Sequence, residues 1–86
     1  MRIIGNIPHK SIHITVFGMN DKFIIQFEAG FMEQIFKINQ NEIAGLEGIQ
    51  ELLDESFMQK ITARFNEMFT EFNQAQERLK VKTSIK

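Results

Sequence analysis

Residues 56–79 read SFMQKITARFNEMFTEFNQAQERL, and apolar side chains recur along them at alternating steps of three and four. These side chains belong to Met58, Ile61, Phe65, Met68, Phe72, Ala75 and Leu79. The spacing places all of them along one face of an α-helix. No Gly or Pro follows Ser56, and most other positions hold good helix formers, so intrinsic propensity agrees with the pattern. The stretch predicts one long amphipathic helix.

The residues around this helix predict its limits and its neighbour. Ser56 and Gln59 fit a capping box, and Asp54 is the competing N-cap residue. Apolar residues at helical spacing predict a short acidic helix over residues 47–54, which we expect to close one end of the core. Residues 80–86 are predicted to form a frayed tail.

Before the helices, the apolar period changes to two, which is typical of strands. Residues 12–38 contain three such runs, separated by predicted two-residue turns at Asn20-Asp21 and Ala29-Gly30. They predict a three-stranded antiparallel meander. Residues 1–11 are predicted to be irregular or a short edge segment, because Pro8 cannot donate to a ladder. The predicted class is therefore α+β in one domain, ordered βββαα, or ββββα if the N-terminal segment pairs.

The two turns also fix which residues lie opposite one another in the predicted sheet. The predicted pairs are Val16 with Ile25, Ile14 with Phe27, His13 with Glu28, Phe27 with Met32, and Phe23 with Phe36. The apolar members of these pairs, together with Ile12 and Ile38, form one apolar face that only Gln34 interrupts. We expect this face to receive the long helix.

The same register places Phe17, Ile24 and Ile35 side by side on the other face of the sheet. Two interpretations remain open for this apolar row. The N-terminal segment could fold over it through Ile3, Ile4 or Ile7. Alternatively, the row belongs to a subunit interface, because contiguous apolar patches on soluble proteins usually mark association.

The predicted helix is longer than the predicted sheet. Its 24 or so residues span about 36 Å, whereas strands of six or seven residues span only about 20 to 23 Å. The far end of the helix therefore has nothing to pack on within one chain, and a second copy is the simplest cover. We predict a homodimer, with candidate interface residues Phe17, Ile24, Ile35, Phe69, Phe72 and Leu79.

Composition excludes several classes of protein. The 86 residues carry a formal net charge of −1, so there is no overall field to attract nucleic acid or an anionic membrane. There is no cysteine, which excludes disulfides and thiolate chemistry. No apolar run reaches the roughly 18 residues of a membrane span. We expect a soluble cytoplasmic protein without a cofactor, a membrane or a nucleic-acid partner.

Residues that could carry chemistry are few. His13 and Glu28 lie opposite each other in the predicted sheet, but no third ligand follows from the spacing, so an ordinary cross-strand contact is the simpler interpretation. No serine lies in a nucleophile elbow, and there is no glycine-rich phosphate loop. The sequence therefore predicts no enzyme.

Several short runs together resemble a family of small uncharacterised bacterial proteins. They lie at residues 7–9, 12–17, 22–28, 33–34 and 52–57. The resemblance covers most of the chain and implies one self-contained unit. It implies no activity, so no functional residue follows from it.

Three functions are compatible with these observations. The favoured one is a self-associating protein-interaction or adaptor module that binds an unidentified protein. The alternative is a small-molecule or metal-binding protein that uses the region of His13 and Glu28. A third is nucleic-acid binding through the basic tail from Arg78 onward, although solvated charge explains that tail more simply.

Overall fold

The structure is a computed structural model that describes the backbone of residues 1–84 and the side chains of residues 1–80. The last two residues of the predicted tail, 85–86, lie outside the described residues. The elements are β1 (Arg2–Ile7), β2 (His13–Met19), β3 (Lys22–Ala29), β4 (Met32–Asn39), a 3-10 turn (Gln40–Glu42), α1 (Gly45–Leu52) and α2 (Glu55–Ser84). The α+β class predicted from the sequence is confirmed.

The sheet has four antiparallel strands in the order β1-β2-β3-β4, so the three-stranded meander was one strand short and the alternative in which the N-terminal segment pairs is the one observed. The N-terminal segment forms a strand of six residues that pairs with β2, from Arg2 opposite Gly18 to Ile7 opposite Ile14. Pro8 lies just after this strand, in the connection to β2, and therefore removes no N–H group from the ladder. A bulge between Ile3 and Gly5 interrupts the pairing.

The first hairpin agrees with the sequence prediction. Asn20 and Asp21 form its two-residue turn, and Asn20 has the positive φ of 55° that asparagine tolerates better than most residues. The register of β2 and β3 also follows the prediction, with Val16 opposite Ile25 and Ile14 opposite Phe27.

The second hairpin turn was predicted one residue too early. Its central residues are Gly30 and Phe31 rather than Ala29 and Gly30, because the first central position has a φ of 60° that suits glycine. The predicted pairs of Phe27 with Met32 and of Phe23 with Phe36 were therefore wrong. The observed pairs are Phe27 with Gln34, Ile25 with Phe36, and Phe23 with Ile38. The register shifts by two residues, so each side chain keeps its predicted face.

The core lies between one face of the sheet and the two helices. It consists of Ile12, Ile14, Val16, Ile25, Phe27, Ile49, Ile61 and Phe65, all buried. Helix α1 covers the β1 side, where Leu46 lies so close to Gly5 that an added Cβ would be 3.1 Å from its Cδ2 atom. Helix α2 covers β3 and β4, and its Phe57 makes edge-on contacts with Phe27 and Phe36.

The helix boundaries differ slightly from those predicted. Helix α1 begins at Gly45 and ends at Leu52, rather than spanning residues 47–54. The side chain of Asp54 accepts a hydrogen bond from the N–H of Phe57 at 2.8 Å, so Asp54 rather than Ser56 caps α2. Helix α2 continues past the predicted end at Leu79 to Ser84. Among residues 1–84, no helix combines the length and the apolar character that crossing a membrane requires.

Candidate functional site

The outer part of α2 extends beyond the sheet. The helix has 30 residues and therefore a length of about 45 Å, whereas the longest strands have eight residues and span about 26 Å. Ile61 and Phe65 are buried, but every side chain from Thr70 to Lys80 is exposed. We call residues 70–80 the outer arm. The predicted mismatch between helix and sheet is therefore present in the structure.

The outer arm continues the apolar stripe that packs on the sheet. Phe72 is 49% exposed, and Leu79 is also exposed. Both belong to the set of interface residues predicted from the sequence. The third predicted residue of this helix, Phe69, is placed differently.

Phe69 packs on the rim of the core instead of lying in the outer arm. Its ring lies against the turn between β3 and β4, where a Cβ added to Gly30 would be 3.1 Å from Phe69 Cζ. The misplaced turn concealed this contact from sequence reasoning. The same error concealed Phe31, which is 93% exposed at the tip of this turn, beside the point where α2 leaves the sheet.

The second candidate surface is the sheet face away from the helices, which we call the open face. The predicted row across it is present in part: Phe17 lies opposite Ile24, but Ile35 lies opposite Gln26 and is displaced along β4. Ile24 is 8% exposed, Phe17 is half-buried, and Ile35 is 53% exposed.

The N-terminal segment extends this row and does not fold over it. Ile3 lies opposite Phe17 and is exposed on the same face. Ile4 and Ile7 instead pack against the core on the helix side. Their placement follows from the strand geometry of β1 and its bulge, which sequence reasoning did not anticipate.

The polar side chains of the open face form cross-strand contacts. The hydroxyl of Thr15 donates to Asn6 Oδ1 at 3.2 Å, and Gln26 Nε2 donates to Glu33 Oε2 at 3.0 Å. His13 lies opposite Glu28, as predicted, and Glu28 lies opposite Glu33. Like charges directly opposite each other destabilise a sheet slightly, so the pair of Glu28 and Glu33 is mildly unfavourable.

The two histidines have different surroundings. His9 Nδ1 accepts hydrogen bonds from the N–H groups of Ser11 and Ile12 at 3.2 and 3.1 Å, so it holds the connection between β1 and β2. His13 is exposed, and both histidines border a shallow cavity of about 320 Å3. In the described part of the chain, no group of three or more His, Cys, Asp or Glu side chains is arranged to hold a metal ion.

A larger cavity of about 570 Å3 lies at the other end of the sheet, near the turn between β2 and β3. Its lining includes Arg2, Asn20 and Gln40 among mostly apolar residues and main chain. Arg2 is its one titratable side chain, so the cavity offers no acid–base pair.

Comparison of this chain with protein-family models, curated proteins and solved structures finds no match. The resemblance to small bacterial proteins therefore stays a prediction.

Proposed function

We propose that this chain is a small, non-enzymatic cytoplasmic module that associates with itself and binds a partner protein through the outer arm. The observation that carries the proposal is the apolar stripe of α2, which continues past the end of the sheet with Phe72 half-exposed. A helix whose apolar stripe is exposed beyond its own sheet is suited to bind in a hydrophobic groove on another protein.

The composition of the outer arm supports this role. Its apolar residues are set among polar and charged ones, including Glu71, Glu77 and Arg78. An apolar stripe with a polar surround is the pattern of helices that bind in grooves, where the stripe supplies burial and the surround supplies specificity. The predicted partner surface is therefore a hydrophobic groove.

Self-association rests on a separate part of the molecule. The edge strand β4 exposes Ile35 on the open face and part of Phe36 on the helix face, whereas Ile3 is exposed at the opposite edge of the sheet, on β1. Exposed apolar residues on an edge strand favour association with another chain.

Light scattering behind size exclusion tests self-association. We expect a mass of about 20 kDa, twice the 10.1 kDa of one chain, at protein concentrations from about 10 µM to about 1 mM. A mass of 10.1 kDa throughout this range would contradict the proposal.

The role of the outer arm is tested with Phe72→Glu and with Asn73→Glu as the matched control. Both add one negative charge to the exposed part of α2. We expect both variants to keep the dimer mass, and Phe72→Glu to bind clearly less of a fluorescent dye specific for apolar surface than Asn73→Glu does. Dissociation of the dimer by Phe72→Glu would instead make the outer arm the self-association surface.

A ligand-binding role for His13 and Glu28 stays a prediction. It requires a further ligand side chain to move towards His13. Retention of zinc by the purified chain, and its loss on His13→Ala, would establish this alternative.

A further inference from the structure

The outer edge of β4 is the feature from which we infer how two copies join. We propose that β4 pairs antiparallel with β4 of a second copy of this chain, with Ile35 opposite Ile35 of the partner subunit. This inference rests on the proposed self-association and specifies its surface.

Strand β4 is an edge strand with few of the features that normally block pairing. It pairs with β3 over eight residues without a bulge, from Met32 to Asn39, and contains no proline. The other edge strand, β1, has a bulge between Ile3 and Gly5, and Pro8 follows it. Bulges and prolines discourage edge-to-edge pairing, so β4 is the more receptive edge.

The orientation of the β4 backbone can be read from one hydrogen bond. The N–H of Gln40 donates to the carbonyl oxygen of Asp21 at 2.8 Å, in continuation of the ladder between β3 and β4. Because alternate residues of an edge strand direct their N–H and C=O groups to opposite sides, those of Glu33, Ile35 and Lys37 are directed outward. These groups are available to another strand.

Charge selects one register among those the backbone allows. With Ile35 at the two-fold axis, Glu33 lies opposite Lys37 of the partner subunit. By symmetry, Lys37 lies opposite Glu33 of the partner subunit. If the two-fold axis passed through Gln34 or Phe36 instead, Glu33 or Lys37 would lie opposite the partner's Ile35. A centre at Glu33 or Lys37 places like charges together. Only the Ile35 centre pairs opposite charges, and it allows about six main-chain hydrogen bonds.

The exposed apolar side chains of β4 lie at this centre. Ile35 is 53% exposed on the open face, and its neighbour Phe36 is 37% exposed on the helix face. Pairing at Ile35 brings the two Ile35 side chains together and places Phe36 opposite the partner's Gln34. The same contact therefore reduces apolar exposure on both faces of the sheet.

The resulting dimer has one continuous sheet of eight strands. Because the two β4 strands run antiparallel, the β3–β4 turns of the two copies lie at opposite ends of this sheet. Since α2 leaves the sheet at that end, where Phe69 contacts Gly30, the two outer arms extend from opposite ends of the dimer. Both arms thus stay available for partner proteins.

Charge reversal tests the register. Lys37→Glu and Glu33→Lys each turn two attractive pairs into two repulsive ones, so we expect each variant alone to dimerise at least about tenfold more weakly than the wild type. An equimolar mixture of the two variants restores both attractive pairs. We therefore expect a heterodimer, detected by native mass spectrometry with one variant labelled with nitrogen-15. Lys10→Glu and Glu51→Lys change exposed residues outside β4 and are the matched controls, and they should dimerise like the wild type.

The outcomes separate this inference from the proposed function. A monomeric wild type contradicts both. A dimeric wild type whose two charge variants stay dimeric contradicts the β4 register alone, as does a mixture of monomeric variants that forms no heterodimer. Circular dichroism of each variant must match that of the wild type, so that loss of the dimer is distinguished from loss of the fold.

Discussion

Gln34 Nε2 donates a hydrogen bond to the main-chain carbonyl of Ile61 at 3.1 Å, and this contact joins β4 to α2. Gln34 lies on the helix face of β4, among Met32, Phe36 and Ile38. Gln34 is the polar residue that interrupts the apolar face of this strand, and its side chain bonds that face to the main chain of α2.

Replacing Gln34 by methionine should lower the stability of the chain. The substitution keeps the volume of the side chain but removes the donor, so we expect the free energy of unfolding to fall by about 0.5 to 1.5 kcal/mol. Urea unfolding measures this change. Gln26→Met is the control, because its amide bonds to exposed Glu33 on the open face, and its effect should stay within about 0.5 kcal/mol. Equal losses in the two variants would contradict the assigned role of Gln34.

Removing the cap of α2 should distinguish Asp54 from Ser56. Asp54→Ala loses the hydrogen bond to the N–H of Phe57, so we expect a loss of about 1 kcal/mol in the free energy of unfolding. Ser56→Ala should change it by only a few tenths of a kcal/mol. Thermal unfolding of both variants decides between them, and a larger effect of Ser56→Ala would restore the capping box predicted from the sequence.

Substitution at Gly30 should be more costly than at Gly45. Both residues have a positive φ, 60° and 61°, so alanine is strained by about 1 to 2 kcal/mol at either site. At Gly30 the added Cβ would also lie 3.1 Å from Phe69 Cζ, whereas at Gly45 it meets no atom within 4 Å. We therefore expect Gly30→Ala to lower the midpoint of urea unfolding further than Gly45→Ala does. In a Phe69→Leu background, the difference between the urea midpoints of the two alanine variants should become smaller.

The two halves of α2 should respond differently to truncation of a phenylalanine. Phe65 is 3% exposed, so Phe65→Ala should cost about 3 to 5 kcal/mol of unfolding free energy. Phe72 lies in the outer arm, and Phe72→Ala should change the unfolding free energy by no more than about 0.5 kcal/mol. Chemical unfolding measures both effects. A large loss for Phe72→Ala would mean that the outer arm packs on the chain after all.

The sequence predicted which residues share a face of the sheet, because side chains alternate with a period of two and a register error of two residues leaves each on its face. Misplacing the second turn shifted β4 by two residues relative to β3, so Phe36 and Ile38 still faced the helix, while the predicted opposite neighbours of Ile24 and Phe27 were wrong. Exact pairing depends on the φ of one glycine, Gly30, and periodicity carries no information about that angle.

The candidate surfaces were predicted less completely. The mismatch in length between α2 and the sheet follows from counting residues, and it led directly to Phe72. The pairing of β1 was left open as an alternative, because Pro8 was weighed as part of the segment and not as the residue that follows the strand. The hydrogen bonds that His9 Nδ1 accepts from Ser11 and Ile12 depend on a loop conformation that local composition does not specify. The predicted meander already makes β4 an edge strand, but which of its N–H groups are directed outward depends on the turn at Gly30, which was misplaced.

Small-angle X-ray scattering tests most directly whether the chain works as a dimer with outward arms. One chain has a radius of gyration of 16.6 Å over its Cα atoms and a mass of 10.1 kDa. We predict a mass of about 20 kDa from the forward scattering and a radius of gyration clearly above 16.6 Å, because the two sheets lie side by side and the arms extend from opposite ends. A mass of 10.1 kDa with a radius of gyration near 16.6 Å would contradict the account.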